Sequence, residues 1–509
     1  MRFDYLLIKR LNLLSILTIL LTGCMVGPDF HKPPPPPVHK YTNAPLPHKT
    51  TSIPDEGHKG KSQYFLMGRD VPAEWWHLFK SPQLDYLIRK GIANNPNLEA
   101  AIAALRQSQE LLQYQISSTM FPLITGQFSP ERQRFSSAGF GNQFPPVVFN
   151  LFNASVNVTY TLDIFGGLRR QIESARAQVD YQRFQVEAAY LTLTSNIVTT
   201  AMTIASLRGQ IAATEDLIHF QDNVLTIVNK QYKLGGASAL DVDTQKSQVE
   251  STRATLPPLQ QNLAKAEHAL AVLTGEFPSE AMIPKFSFNK IDLPGNLPVS
   301  IPSNLVQQRP DIRASEALMA VASAKVGVAT ANLYPQFTIN PSYGWTNDVL
   351  GTLLQGQNVI WNYGGTVMQT IFDAGALRSQ QKAAVDAFQQ AWAQYRQTVL
   401  VAFQNVADVL RALQHDAETL KAQRAAEIAA RDGLKITQQQ YYLGGVSYLA
   451  LLIAQRQYQL TRISRIQVEG QRYVDTAALF AAVGGGWWNR GCCNTYALMH
   501  QKGKPYGQW

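Results

Sequence analysis

The sequence is poor in cysteine, with three in 509 residues, at Cys24, Cys492 and Cys493. Cys492 and Cys493 are adjacent in a polar C-terminal stretch. No disulfide framework can therefore hold the chain together. Stability has to come from packing and oligomerisation.

The sequence also lacks the motifs on which enzymes and metal sites depend. It has no phosphate-binding glycine loop, no zinc-type His-Glu pair and no nucleophile elbow. Four histidines near the N-terminus have a spacing that fits no set of metal ligands and indicates solvated linker residues: His31, His39, His48 and His58. These absences predict a protein that is not an enzyme and that needs no metal or cofactor.

Charge is sparse, since Asp, Glu, Lys and Arg make up 16% of the chain, and the formal net charge is +9. Such a mild excess, spread over the whole chain, does not make a nucleic-acid-binding patch. The apolar run from Leu11 to Leu21 is too short to span a bilayer. It follows Arg2, Lys9 and Arg10, and this pattern predicts an export signal over residues 1–23.

The apolar run ends in Leu21-Thr22-Gly23-Cys24, a small-residue cleavage site with a thiol directly after it. This is similar to a bacterial lipobox and predicts lipidation of Cys24, which would anchor the chain through its acyl groups. The alternative is an ordinary signal followed by a chance cysteine. Met25 replaces the aspartate that typically retains such lipoproteins in the inner membrane, so we expect the outer membrane.

Both ends of the mature chain have compositions typical of unstructured segments. Residues 24–70 are rich in Pro, Lys, His and Thr, which predicts an extended, lipidated tether. We expect order to begin near Glu74-Trp75-Trp76. Residues 487–509 form a basic tail without periodicity, and we expect disorder there.

The most informative feature present is an internal repeat. The segment from Tyr232 to Leu240 returns 209 residues later as Tyr441 to Leu449, within a register held over about 110 residues. We assign repeat 1 to residues 71–285, a linker to 286–308 and repeat 2 to 309–486. A tandem pair is typical of a symmetric conduit and is not required by a one-site enzyme.

Each copy contains segments that alternate with a period of two. Over residues 152–164 the even positions are apolar or small and the odd positions are polar, which predicts a strand partnered by another at about 121–135. The second copy predicts strands at about 335–346 and 360–372. One uncharged polar face and one aliphatic or aromatic face are typical of a membrane barrel wall. The alternative is a half-buried sheet on a soluble domain.

Each copy also predicts one helical hairpin, over residues 168–273 and 376–483. The first arm of each is nearly free of helix breakers over about 65 residues, or about 100 Å. In repeat 1, Pro257-Pro258 should kink or break the returning arm. Both first arms end in a Leu-Gly-Gly turn, formed by Leu234, Gly235 and Gly236 and by Leu443, Gly444 and Gly445.

Four strands per chain cannot close a barrel. Two chains would supply eight strands, whose side chains nearly fill the interior, whereas three supply twelve and leave a lumen. The predicted fold class is mainly α with transmembrane β, and the smallest assembly that leaves a pore is a homotrimer with a twelve-stranded β-barrel.

Short motifs then connect the chain to a known family. They include Trp75-Trp76, Asn95-Pro96-Asn97-Leu98, Arg309-Pro310-Asp311-Ile312-Arg313, Tyr334-Pro335 and Gly484-Gly485-Gly486-Trp487. With the lipobox, these resemble the TolC-like outer-membrane efflux factors, in their lipoprotein branch. The resemblance implies a trimer whose twelve-stranded β-barrel in the outer membrane is continued by a long periplasmic α-helical barrel. It further implies that the Leu-Gly-Gly turns dock onto a periplasmic adaptor protein coupled to an inner-membrane pump.

The resemblance further implies a gate at the periplasmic tip, where a ring of carboxylates favours cations. Asp241 matches an acidic position of the family, and Asp243 lies two residues on. Ile453 stands where relatives often carry aspartate, so the usual ring is incomplete here. The alternative is a hydrophobic constriction that closes by dewetting, formed by Tyr448, Leu449 or Leu452.

The predicted function is the outer-membrane exit duct of a tripartite efflux system, which passively exports small molecules or drugs. The rival is a non-conducting coiled-coil envelope lipoprotein, acting as a spacer or adhesin. That rival accounts for the helices but leaves the alternating strands unexplained. Because a passive duct takes its specificity from the pump and adaptor, the sequence names no substrate.

Overall fold

The computed structural model describes residues 25–53, 57, 59–136 and 145–490. The predicted signal, Cys24, Cys492 and Cys493 lie outside these residues. The chain divides into two compact units. We call residues 1–33, 105–182 and 315–395 the strand unit, and residues 34–104, 183–314 and 396–509 the hairpin unit.

The chain is mainly helical. The α-helices are α1 (Pro82–Asn94), α2 (Pro96–Met120), α3 (Gly167–Lys233), α4 (Ala239–Leu273), α5 (Pro302–Gln308), α6 (Pro310–Ala331), α7 (Ala376–Tyr442) and α8 (Tyr448–Ala482). The strands are β1 (Tyr64–Met67), β2 (Leu123–Phe135), β3 (Val147–Leu162), β4 (Asn296–Val299), β5 (Gln336–Ile339), β6 (Ser342–Asn347), β7 (Val359–Asn362) and β8 (Gly365–Met368).

The short helices start where capping chemistry predicts. The Ser81 hydroxyl accepts a bond from the Leu84 backbone N–H (3.4 Å) ahead of α1, which has Pro82 at its first position. The Asn95 side chain accepts from the N–H of Leu98 (3.1 Å) at the start of α2. Each cap satisfies a backbone donor that the first helical turn leaves unpaired.

The two copies form hairpins of equal length. α3 and α7 each have 67 residues, and α4 and α8 each have 35. The predicted break at Pro257-Pro258 is wrong, because α4 continues through both prolines. Both proline rings lie on the exposed side of α4. Water can there satisfy the backbone carbonyls that the two prolines leave without N–H partners.

Among the residues that the structure describes, no helix is both long enough and apolar enough to cross a membrane.

The strands of the strand unit form one connected antiparallel sheet. β2 pairs with β3 along its whole length, from Leu123 opposite Thr159 to Phe135 opposite Val147. β3 then pairs with β6 in its middle, over residues 152–157, and with β5 near its end. β6 pairs with β7, and β5 with β8.

The second copy differs from prediction in that both of its expected strands are interrupted. The strand predicted at 335–346 is divided into β5 and β6 by Asn340 and Pro341, where proline has no N–H for the ladder. The Pro341 carbonyl still accepts a bond from Val158 N–H (2.9 Å). The strand predicted at 360–372 is divided at residues 363 and 364 and ends at Met368.

The predicted tether is largely ordered, which corrects the sequence analysis. In the hairpin unit β1 pairs in parallel with β4, from Tyr64 opposite Asn296 onwards. Gln63 is buried, and its side-chain oxygen accepts a bond from the buried Arg472 guanidinium (3.1 Å). Composition missed this because a few buried side chains, such as Thr50, suffice to fix a polar segment once another element covers them.

The predicted tail is also packed as far as residue 490. Trp487 donates from its indole N–H to the Gln308 carbonyl (2.6 Å). The Arg490 guanidinium pairs with Glu187 and lies 4.0 Å from the centre of the Tyr190 ring. The rest of the predicted disordered segment, residues 491–509, lies outside the described part of the chain.

Candidate functional site

The sheet of the strand unit has one apolar and one polar face. Residues that pair directly point to the same side of a sheet, so the register assigns each pair to a face. The apolar face carries Ile124 opposite Val158, Phe128 opposite Ala154, Val156 opposite Tyr343, and Tyr343 opposite Trp361. The polar face carries Thr125 opposite Asn157, Gln127 opposite Ser155, Asn157 opposite Ser342, and Ser342 opposite Asn362.

The apolar face is exposed in the single chain. Ile124, Phe128 and Trp361 are more than half exposed, and Val156 and Tyr343 nearly so. Soluble monomers rarely present a contiguous apolar patch of this kind. A half-buried sheet on a soluble domain would pack this face against its own core, so the exposure favours a lipid environment.

The two ends of the sheet are open edges among the described residues. β2 pairs only with β3, and β7 pairs only with β6. Open edges present unpaired backbone N–H and C=O groups, which cannot remain unsatisfied in lipid. Within the described residues, both edges of the sheet are therefore available for pairing.

The segment that follows Cys24 is held against the strand unit. Val26 N–H donates to the Phe165 carbonyl (3.1 Å), at the junction between β3 and α3. The buried Arg170 guanidinium donates to the carbonyls of Val26 (3.4 Å) and Gly27 (3.3 Å) and to the Asp29 carboxylate (2.7 Å). These contacts fix the chain two residues after the predicted lipid attachment point, although Cys24 itself is not described.

The Leu-Gly-Gly turns have the same geometry in both copies. Gly235 and Gly444 adopt left-handed backbone angles, with φ of +79° and +73°. The following glycines close the turns, with N–H bonds of 2.8 Å to the carbonyls of Gln231 and Gln440. The leucines that precede these glycines, Leu234 and Leu443, are 87% and 86% exposed. Their apolar side chains are available for contact with another protein.

The acidic gate candidates differ in their surroundings. Asp241 forms a capping box with Ser238: its carboxylate accepts from the Ser238 N–H (2.9 Å) and hydroxyl (2.7 Å). The Ser238 hydroxyl accepts in turn from the Asp241 N–H (3.2 Å). Asp243 is exposed. Asp241 thus has a structural role at the start of α4, whatever charge it contributes.

The apolar gate candidates differ in burial. Tyr448 and Leu452 are buried in a cluster with Val224, Val228 and Leu434. Leu449 and Ile453 are instead 63% and 62% exposed, and their spacing of four places them on one side of α8. Of the three candidates for a hydrophobic constriction, only Leu449 remains on the surface, joined by Ile453.

Two tyrosines connect the hairpins, and the sequence analysis missed both links. Tyr448 donates its hydroxyl to the side-chain oxygen of the buried Gln245, and Tyr441 donates to that of Gln231 (2.9 Å). Burial raises the pKa of both hydroxyls, so they remain protonated donors. The partners lie more than 200 residues apart in sequence, where no local pattern can signal a pair.

A pair of aspartates lies between α7 and α8. Burial, reinforced by the neighbouring Asp475, raises the pKa of Asp416 to about 8. The nearby Arg472 acts in the opposite direction. One carboxyl of the pair therefore holds a proton near neutral pH. In the described part of the chain, no three His, Cys, Asp or Glu side chains are arranged to hold a metal ion.

Comparison with known proteins decides the family. The model of the family described as "Outer membrane efflux protein" matches twice, over residues 87–276 and 301–485, which is more than half of the chain. The chain belongs to the outer membrane efflux protein family. Its two matches coincide with the two copies of the internal repeat. The resemblance inferred from the sequence is confirmed.

Relatives of this outer membrane efflux protein match along nearly their whole length. Nodulation protein T of Rhizobium leguminosarum bv. viciae is 28% identical over 93% of both chains. The pyoverdine export outer membrane protein OpmQ of Pseudomonas aeruginosa is 28% identical over 85% of this chain and 92% of its own. The structure of the Campylobacter jejuni CmeC outer membrane channel matches with a TM-score of 0.82 at 20% identity, over 94% of this chain and 98% of that one. The predicted outer-membrane location and role in efflux are thus confirmed.

Proposed function

We propose that this outer membrane efflux protein is a passive exit duct formed by a homotrimer. The observation that carries the proposal is the sheet, which is four strands wide because β5 and β6 share one position and β7 and β8 another, and which has an exposed apolar face, a polar face and two open edges. Joining the open edges of three chains gives twelve strands, with the polar faces around a lumen and the apolar faces toward lipid. The rival spacer or adhesin has no use for such a sheet.

The lipid on Cys24 is part of the proposal. The backbone at Val26 lies beside the end of β3, where the sheet meets α3. Acyl chains attached to Cys24 would therefore begin near the periplasmic edge of the membrane-spanning sheet. Such a position lets the anchor insert into the same membrane as the strands, with each buried CH₂ contributing about 0.8 kcal/mol.

The partners are a periplasmic adaptor protein and an inner-membrane pump, which together make the system tripartite. The exposed Leu234 and Leu443, at the ends of the hairpins, supply the apolar contacts for the adaptor. Exposed apolar side chains on rigid, glycine-closed turns are suited to docking because little conformational entropy is lost. Specificity for the exported molecule resides in the pump.

The gate is proposed to be more apolar than the family pattern implies. Leu449 and Ile453 are the exposed apolar residues near the start of α8, while Tyr448 and Leu452 hold the hairpins together from inside. Three copies of such residues around an axis would close the pore by dewetting. Asp241 is then left to cap α4, and Asp243 adds an exposed charge two residues further on.

The experiment that tests the function combines stoichiometry with conductance. We expect the full-length protein, purified in mild detergent, to give a mass of three chains in native mass spectrometry and discrete conductance steps in planar bilayers. A spacer or adhesin gives no steps. A monomer, or a trimer that never conducts after addition of the adaptor, would refute the duct.

A further inference from the structure

The loop end of β2 carries two arginines on the apolar face of the sheet. In the register with β3, Arg132 lies opposite Asn150 and Arg134 opposite Val148. Both have the same parity along β2 as Ile124 and Phe128, so they share the face that carries those apolar side chains. Both arginines are exposed.

The chain itself does not neutralise these charges. Glu131, the adjacent acid, points to the opposite face, where its carboxylate accepts from the Ser129 hydroxyl (3.1 Å) and the Gln133 amide (2.5 Å). Neither guanidinium has a hydrogen-bond or ion-pair partner within the part of the chain that the structure covers. Two cations are therefore left free on the face proposed to contact lipid.

Their position along the strand corresponds to the edge of the membrane. Ile124 and Arg132 are eight residues apart, which is about 26 Å along the strand and about 20 Å along the membrane normal at the usual tilt. The apolar band of outer-membrane barrels is about 25 Å tall. A lipid-facing arginine is unfavourable inside that band and tolerated at its edge. Arg134, two residues further on at about 25 Å along the normal, thus reaches headgroup level on the side remote from the helices. The long side chain of Arg132 can extend to the same level.

We infer that Arg132 and Arg134 form a binding site for the phosphate groups of a phosphorylated glycolipid in the outer leaflet. This inference rests on the proposed function, because it needs the sheet to span the membrane. The guanidinium fork matches phosphate oxygens in bidentate geometry. Residues two apart on a strand are about 7 Å apart, so each can hold one phosphate of a lipid with two.

The test uses the full-length trimer in mild detergent, with a bis-phosphorylated lipid A-type glycolipid as the probe. Native mass spectrometry compares its retention with that of the same lipid after enzymatic removal of both phosphates. We expect the wild type to retain only the phosphorylated form. The double variant Arg132→Gln/Arg134→Gln should lose retention at least about tenfold, as expected for charge-assisted hydrogen bonds.

The matched control is Gln133→Ala, which lies at the same height on the polar face and should retain the lipid as the wild type does. Equal retention by the double variant, or of the dephosphorylated lipid by the wild type, overturns the inference. Complete displacement by inorganic phosphate at the lipid's own concentration also overturns it, because the site would then serve a free anion.

A neighbouring copy is the remaining occupant that the test distinguishes. Asp348 is the acid in the loop between β6 and β7, and the edge of another chain could bring it near β2. If the double variant and Asp348→Asn both lose the trimer, the arginines serve assembly and the lipid site is overturned. Conductance steps recorded on the double variant separate the two proposals: steps should persist, whereas a wild type without steps refutes the duct itself.

Discussion

Asp241 shows how one residue can satisfy two different expectations. Its match to an acidic family position indicates a selectivity charge, while the structure shows a reciprocal cap with Ser238. A cap needs only a side-chain acceptor, whereas a selectivity ring needs a charge. Asparagine and alanine therefore separate the two roles.

We predict that Asp241→Ala accelerates hydrogen exchange in the first turn of α4, because the Ser238 N–H loses its acceptor and the capping box is no longer reciprocal. Asp241→Asn should retain most of the protection and leave conductance and cation preference near wild type. The control is Asp243→Asn, which removes an exposed charge outside the cap. A change of cation preference in Asp241→Asn alone would instead show that the Asp241 charge acts in the gate.

Asp416 gives the folded chain a pH dependence whose sign is fixed by its environment. Its folded pKa of about 8 lies above the ordinary value near 3.9, so the folded state binds the proton more tightly. The stabilisation is fully present at low pH and is lost as the pH rises through about 8. Asp475 and Arg472 are the charged groups that face it.

We predict that the thermal midpoint of the wild type falls between pH 5 and pH 8.5, and that Asp416→Asn removes part of this fall. Asparagine keeps the shape of the protonated acid and cannot ionise. Tryptophan fluorescence at a fixed heating rate measures the midpoint. Asp386→Asn, exposed on the same helix α7, is the matched control. A wild type whose midpoint rises over this range contradicts the assignment.

At the scale of elements, β3 contributes residues to both the apolar and the polar face of the sheet. Its neighbouring residues Val156 and Asn157 occupy opposite faces, one opposite Tyr343 and the other opposite Ser342. The two positions are in the same strand and at the same depth. A charge placed at each position therefore tests which face contacts lipid, while the strand and the depth in the membrane stay nearly the same.

We predict that Val156→Arg prevents assembly in the outer membrane, because a lipid-facing arginine near the midplane costs about 2 to 4 kcal/mol in each chain. Asn157→Arg should still give trimers and should lower cation conductance, since the charge faces the lumen. Membrane fractionation and bilayer recording measure the two effects. Equal assembly of both variants would contradict the assignment of the faces.

Helices and turns were predicted best where a single sequence pattern, with no contribution from distant residues, determines the backbone. Both helical hairpins and their glycine turns follow from breaker-free runs that end in Leu-Gly-Gly. The interruption at Asn340-Pro341 was missed because alternation continues across it, while the lost proline donor matters only once a partner strand is present. The continuation of α4 through Pro257-Pro258 was also missed. Here the local rule predicts a break, but water can satisfy the backbone carbonyls that the two prolines leave without N–H partners.

At the scale of the whole molecule, the proposed duct has two independent anchors, the strands and the lipid on Cys24. Val26 and Arg170 hold the segment next to Cys24 against the strand unit by protein contacts alone. The contacts of Val26 and Gly27 therefore involve no acyl group. The sheet keeps its exposed apolar face in either case.

We predict that Cys24→Ser, expressed with an ordinary cleavable signal, still sediments with the outer membrane and still forms trimers. Labelled palmitate should enter the wild type and not the variant. The control combines Cys24→Ser with Val156→Arg, which removes both anchors and should leave the protein in the soluble fraction. If Cys24→Ser alone is soluble, the strands do not hold the protein in the membrane.

The repeat, the hairpins, the alternating strands and the family could be inferred without coordinates, because each rests on a local periodicity or a short motif. Which candidates are exposed follows from the packing of the folded chain. It buried Tyr448 and Leu452 while leaving Leu449 and Ile453 free, and it packed Gln63 of the supposed tether against Arg472. These outcomes depend on contacts between residues hundreds of positions apart, and a linear pattern carries no information about which distant surface covers a given side chain.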